Sequence, residues 1–221
     1  MTVALEHHRV AVSGTLALFD LDHTPIPFDS GMAWTAFLVE RAVLLPGAEE
    51  HYLNCCRQYV AGRLDIRALH RAVLQPLLQQ PRVVLARWQI EFQAAMAPRV
   101  PPAMLALVRG HQGAGHLCAV VTATTALIAE PFARLFGIEP LLATVAATLD
   151  DVAGAQFTGE IEGEPCHGLH KVERVDRWLA SRPAALAAGF VGTEAGSRAA
   201  QPASPAYRAS EVMKQPVSAL L

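Results

Sequence analysis

The period of the apolar residues changes several times along the chain, and each change marks an element. Thr15-Leu16-Ala17-Leu18-Phe19 is a short apolar run that stops at Asp20, and the polar, proline-containing stretch Asp20–Pro27 follows at once. Periodicity alone does not separate a strand from a helix fragment in so short a run. The loop directly behind it favours a buried strand. Across 30–95 the spacing turns helical: Trp34, Phe37 and Leu38, then Val43 and Leu44, then Leu64 to Leu69 leading into Val73, Leu74, Leu77 and Leu78, then Val84, Leu85, Trp88 and Phe92. Ala97-Pro98-Arg99-Val100-Pro101-Pro102 breaks that pattern and reads as a hinge or linker. Beyond it, Ala103–His111 predicts an amphipathic helix closed by Gly113 and Gly115. Leu117–Val121 predicts a strand ending in the polar loop Thr122-Ala123-Thr124-Thr125, then a helix through Phe136 stopped by Gly137, with Thr124 or Thr125 as its cap. Short β-like pieces, Gln156–Ile161 among them, occupy 141–166, and Lys171–Leu179 reads as a helix with Val172, Val175 and Trp178 inward.

Strand–helix alternation on both sides of an all-helical block predicts an α/β sheet domain with a helical insertion. The boundaries that follow are a core of 1–28 and 98–192, a helical segment of 29–97, and an irregular or disordered tail of 193–221. In open α/β sheets the binding crevice lies at the carboxyl ends of the strands, which is where the loops Asp20–Thr24 and Thr122–Thr125 both fall. From Ser181 the chain is rich in Ala, Ser, Pro and Gly, and no aspartate follows Asp176.

Composition narrows the function classes. The chain has 221 residues, 52% hydrophobic and 17% charged, with a net charge of -2. A chain of this length buries roughly 70% of its extended surface on folding, so a sizeable core is expected, and there is no basic excess to suggest a nucleic-acid partner. The four cysteines, Cys55, Cys56, Cys118 and Cys166, are too few and too scattered for a disulfide framework. Glu6, His7, His8 and Arg9 interrupt the first residues, so no signal peptide is expected. No apolar run reaches the ~18–20 residues of a membrane span. These features predict a cytoplasmic protein without membrane partners, and leave its oligomeric state open.

Two carboxylates two positions apart after a strand carry the chemistry. Asp20 can attack phosphorus and form an acyl phosphate, while Asp22 can protonate the leaving oxygen and then activate water, a contribution of typically ~10²–10⁴-fold. Two carboxylates repel a phosphate dianion, so a divalent cation is called for, and Mg²⁺, which prefers oxygen ligands, is the one expected. Thr122 can offer a hydroxyl, with neighbouring N–H groups at the following helix N-terminus, and Lys171 a compact positive charge. Asp29 reads first as an N-cap to Gly31-Met32-Ala33-Trp34, and Trp34, Trp88 and Phe92 as packing rather than ligand-stacking residues.

Phe19-Asp20-Leu21-Asp22-His23-Thr24, Val120-Val121-Thr122-Ala123-Thr124 and His170-Lys171-Val172, in that order, resemble the first three motifs of the haloacid dehalogenase (HAD) superfamily, in its phosphoserine-phosphatase-like branch. The resemblance covers about Leu16 to Leu179. It implies a Rossmann-like parallel-sheet core with an inserted all-helical cap, the block 30–95. It further implies Asp20 as nucleophile and metal ligand, and Asp22 as general acid/base with its carbonyl on the metal. Thr122, Ala123 and Lys171 would hold the phosphoryl group, Asp29 would contact substrate, and Mg²⁺ would be the cofactor. The implied activity is hydrolysis of a small, phosphoserine-like phosphate ester. Departures are plain: Pro25 replaces an apolar residue, Thr125 an asparagine, and Gly168-Leu169-His170 lacks the acidic and glycine residues expected before Lys171. The fourth motif, which supplies aspartates to the metal, is absent; in Gly189-Phe190-Val191-Gly192-Thr193-Glu194 a threonine stands at the aspartate position. The abrupt change of composition near Ser181 is what a frameshifted or truncated remnant would show. The alternative expectation is therefore a family member that binds phosphate without turnover. A haloacid dehalogenase proper fits less well, since those enzymes need only the first carboxylate.

Overall fold

The computed structural model describes residues 15–149 and 156–182, and the backbone of 192–194. Four parallel strands form one sheet in the order β3-β2-β1-β6: β1 Leu16–Phe19, β2 Leu117–Thr125, β3 Leu141–Thr144 and β6 Gly192–Glu194. A separate antiparallel hairpin joins β4 Ala146–Leu149 to β5 Gln156–Ile161. β1 is internal, bonded to β2 on one side and β6 on the other, and it is correspondingly apolar throughout. The helices are α1 Ser30–Glu40, α2 Ala48–Val60, α3 Ile66–Leu74, α4 Arg82–Met96, α5 Pro102–Gly113, α6 Ala126–Phe136 and α7 Leu169–Ala180. This is the expected α/β architecture, with α1 to α4 inserted between β1 and β2. Among the described residues no helix is long and apolar enough to cross a membrane.

Several local expectations shift. β2 does not end at Val121 but runs on through Thr125, after a register irregularity against β3 between Val121 and Thr125. Thr125 does occupy the N-cap position of α6, yet its side chain makes no capping bond and its buried hydroxyl has no partner among the described residues. Gly137, with φ 63°, closes α6 as expected, a left-handed geometry that glycine adopts without a Cβ penalty. The segment 97–102 holds a short 3₁₀ turn, Ala97–Arg99, with Val100 buried behind it and Pro102 opening α5. In α7 the fully buried positions are Val175 and Leu179, while Val172 and Trp178 are half-buried. β6 straddles the expected 192/193 boundary. The rest of the tail, including most of the fourth-motif region, lies outside the described residues.

One core runs from the sheet into the inserted helices. Trp34 and Phe37 of α1, Phe92 of α4 and Phe132 of α6 form a chain of aromatic contacts, with Trp34–Phe92 at 5.0 Å and Phe92–Phe132 at 5.6 Å, both edge-to-face. Polar contacts reinforce the same junction. Pro131 sits inside α6 and has no N–H to give the Leu127 carbonyl four residues earlier. Gln89 of α4 donates its amide to that carbonyl at 2.7 Å and to Glu130 at 3.0 Å. The outer helices are tied differently: Arg71 of α3 forms a two-pronged pair with Glu160 of β5, and Arg67 bonds Glu164 and the Gly163 carbonyl.

Candidate active site

Asp20 follows the last residue of β1, and alternation decides its direction. Phe19 and Leu21 are buried on either side of it, so the carboxylate between them faces solvent at the carboxyl end of the sheet. Leu21 and Ile26, both without exposed surface, pin the loop back onto the core, with the Ile26 N–H bonded to the Leu21 carbonyl at 3.4 Å. His23, at φ 55°, makes the reversal between them. Asp20 Oδ1 accepts from the Leu21 N–H at 2.9 Å and from Lys171 Nζ at 3.0 Å. The Asp20 side chain is 52% exposed and that of Lys171 14%. Lys171 lies in the first turn of α7, where the helix dipole disfavours a cation; the pair with Asp20 offsets that cost.

Asp22 is held by the protein through both carboxylate oxygens. Its Oδ1 accepts from the Ser30 N–H at 2.6 Å and its Oδ2 from the Thr124 hydroxyl at 2.7 Å. Burial, then the Asp29 carboxylate, hold the Asp22 carboxyl above its ordinary pKa, while the Ser30 and Thr124 bonds act in the opposite sense. Asp29 is the N-cap of α1, accepting from the Met32 N–H at 2.7 Å, and it also accepts from the Tyr52 hydroxyl of α2 at 2.8 Å. Tyr52 lies so close to α1 that a Cβ on Gly31 would overlap its ring and hydroxyl. Burial, reinforced by Asp29, raises the Tyr52 phenol, and burial pushes the neighbouring Cys56 thiol up to about 11.

Thr122 is buried near the end of β2, and its Oγ1 accepts the Thr124 N–H at 3.1 Å. The Ala123 carbonyl accepts from the Thr144 hydroxyl at 2.8 Å. His167, in the segment leading into α7, is close enough to Lys171 and Asp20 for their charges to act on it, and Tyr59 of α2 meets its ring nitrogen at 3.0 Å.

The structure thus brings Asp20 to Lys171 directly, and Asp22 to Thr124, which is two residues from Thr122. Asp29 faces Asp22 from the start of α1. Ser30, Tyr52 and Thr124 have partners here that the sequence reading did not assign. Ser30 and Thr124 meet Asp22 across the loop and the sheet, and only the Asx-cap pattern at Asp29 hinted that the start of α1 lay nearby. Arg57 of α2 pairs with exposed Glu50.

Comparison with known proteins gives the family. The model of the haloacid dehalogenase-like hydrolase family matches residues 17–191. Histidinol-phosphatase of Neisseria meningitidis serogroup C (strain 8013) is 36% identical over 170 residues, covering 76% of this chain and 75% of that protein. A solved structure of a protein of unknown function from Bordetella pertussis Tohama I shares 37% identity with a TM-score of 0.71, over 80% of this chain and 79% of that one. A phosphoserine phosphohydrolase-like protein from Francisella tularensis subsp. tularensis SCHU S4 is similar in fold, at 16% identity and a TM-score of 0.53, over 74% of this chain and 73% of that one. The family match runs through the sheet, the inserted helices and α7 alike, and this chain belongs to the haloacid dehalogenase-like hydrolases.

Proposed function

We propose that the protein is a Mg²⁺-dependent phosphomonoesterase that hydrolyses a small phosphorylated metabolite through an aspartyl-phosphate on Asp20. The observation that carries this reading is the Asp20–Lys171 pair: a half-exposed carboxylate at a strand tip with a largely buried ammonium 3.0 Å away. An Asp20 oxygen attacks phosphorus and the ester P–O bond breaks. The departing alkoxide takes the proton held on Asp22. Asp22 then takes a proton from water, whose oxygen attacks the same phosphorus, and inorganic phosphate leaves with Asp20 restored. Lys171 and Thr122 balance the phosphoryl oxygens. The raised pKa of Asp22 suits the first of these proton transfers.

The donors fit Mg²⁺, which takes oxygen ligands and keeps several waters of its own. Asp20 Oδ2 has no protein partner among the described residues, and the Asp22 carbonyl meets only the Thr24 hydroxyl, at 3.4 Å. A bound cation would neutralise charge between phosphate and carboxylates. Residues 29–97 serve as a cap over a core of 1–28 and 98–192. Four free cysteines suit a reducing, cytoplasmic setting. The name of the Neisseria relative makes histidinol phosphate the first ester to try, with phosphoserine second.

The test is phosphate release from a panel of esters with Mg²⁺ by the wild type and by Asp20→Asn. Hydrolysis by the wild type that vanishes in the variant supports the reading, and activity that survives the substitution overturns it. A second reading, phosphate binding without turnover, is favoured by one observation: among the described residues no group of three His, Cys, Asp or Glu side chains converges to hold a metal. Phosphate binding by a wild type that hydrolyses none of the esters supports that alternative.

A further inference from the structure

The two groups assigned to the phosphoryl oxygens come from segments far apart in the chain: Thr122 near the end of β2 and Lys171 in the first turn of α7. Thr144, the last residue of β3 and fully buried, is bonded to both segments. Its hydroxyl donates to the Ala123 carbonyl at 2.8 Å, and the same oxygen accepts the Cys166 N–H at 3.0 Å. Neither bond can run the other way, because a carbonyl only accepts and a backbone N–H only donates. Its two neighbours in β3 hold the same segment. The Leu142 carbonyl accepts from the Cys166 thiol at 3.3 Å, and Arg174 of α7 donates to the Ala143 and Glu164 carbonyls, each at 2.8 Å.

On the β2 side the peptide plane transmits the tie. In a trans peptide the carbonyl and the next residue's N–H point in opposite directions, so a donor that fixes the Ala123 carbonyl also fixes the Thr124 N–H. That N–H is given to Thr122 Oγ1 at 3.1 Å. A hydroxyl that already accepts a bond keeps its own proton to donate elsewhere. On the α7 side the chain runs from Cys166 to Lys171 through a bonded turn, with the His170 N–H on the His167 carbonyl and the Lys171 N–H on the Gly168 carbonyl, both at 3.2 Å. The Lys171 ammonium then ends 3.0 Å from Asp20. We propose that Thr144 is a positioning residue for phosphoryl binding: its one hydroxyl sets the Thr122 hydroxyl and the Lys171 ammonium relative to each other. The inference rests on the phosphate site of the reading above, but not on turnover.

The test is calorimetric titration of the full chain with inorganic phosphate in Mg²⁺, alongside kcat and KM for an ester. Thr144→Val keeps the side-chain shape and removes both bonds, and it should weaken phosphate binding about tenfold; Thr144→Ser, which keeps the hydroxyl, should bring binding back to within about twofold. If the valine variant does not fold, Thr144→Ala takes its place against the serine. Gln89→Leu, which costs stability at the distant α4–α6 junction, is the control and should bind within about twofold of the wild type. In a Thr122→Val background the Thr144→Val penalty should shrink to about threefold or less, because one of the two groups it positions is already gone. A folded Thr144→Val or Thr144→Ala that binds phosphate as the wild type does overturns the proposal. So does a folded Thr144→Ser that fails to recover binding, a Gln89→Leu that loses as much, or an undiminished penalty in the Thr122→Val background. A wild type that binds phosphate but hydrolyses no ester refutes the phosphomonoesterase and leaves this inference standing, whereas one that binds no phosphate removes both.

Discussion

Replacing Gln89 with leucine tests the junction between α4 and α6. The side chain is 8% exposed, so leucine of similar size keeps most of the packing. What disappears is the amide that meets the Leu127 carbonyl at 2.7 Å, the one Pro131 cannot serve. A buried carbonyl left without a donor costs about 1–3 kcal/mol. For a chain of this size each kcal/mol moves Tm by roughly 2–4 °C, so Gln89→Leu should melt about 2–12 °C below the wild type. The decisive measurement is a double-mutant cycle by urea unfolding. Pro131→Ala gives α6 back an N–H for Leu127, so in that background the leucine substitution should cost about 1 kcal/mol less or better still. The cycle cancels the helix-propensity gain of the alanine itself. Equal penalties for Gln89→Leu in the proline and alanine backgrounds would refute the argument.

The remaining predictions concern the site. Asp22 has a raised pKa, so its contribution to stability is present below the ordinary carboxylate value and lost as pH rises through the raised one. With metal chelated, Asp22→Asn should therefore melt above the wild type at pH 8, with the gap shrinking towards acid. A gap that ignores pH contradicts the assignment. The same variant should lose about 10²–10⁴-fold in kcat for an ester. Lys171→Met should lower kcat/KM by about 10²–10³-fold with Tm little changed, and a loss confined to Tm would argue that the lysine is structural. Gly31→Ala drives a methyl into Tyr52 and should cost about 1–3 kcal/mol in urea unfolding; a neutral result would mean that α2 yields freely.

The sequence declares what local chemistry determines. Asp20 is legible because a buried strand followed by acids and a proline is a pattern contained in ten or so residues, and Asp29 because capping is decided within one helical turn. The helical block is legible from its period. The partners of Asp22 are not: Thr124 lies far along the chain on the neighbouring strand, and its hydroxyl could as well have capped α6, the role the local pattern suggested. The length of β2 was hidden for a related reason, since Thr122 to Thr125 look like a polar loop until the pairing of Thr125 with Thr144 is seen.

The aromatic junction limits how substrate gets in. α1 and α4 are rooted on α6 through Trp34, Phe92 and Phe132, so lifting the whole inserted block would mean tearing open the interior of the molecule. α2 and α3 stand outside that aromatic chain. Beside the buried Cys55, His70 and Leu74 and the Tyr52–Asp29 bond, half-exposed charge pairs tie α3 to β5 and the segment before α7, and the Tyr59–His167 contact ties α2 to that segment. The charge pairs break cheaply in water. If substrate enters beneath these helices, the expected motion is a flap, in which the outer two helices lift while the inner two stay seated. Amide hydrogen exchange should be faster in α2 and α3 than in α1 and α4, and uniform protection across all four would rule the flap out.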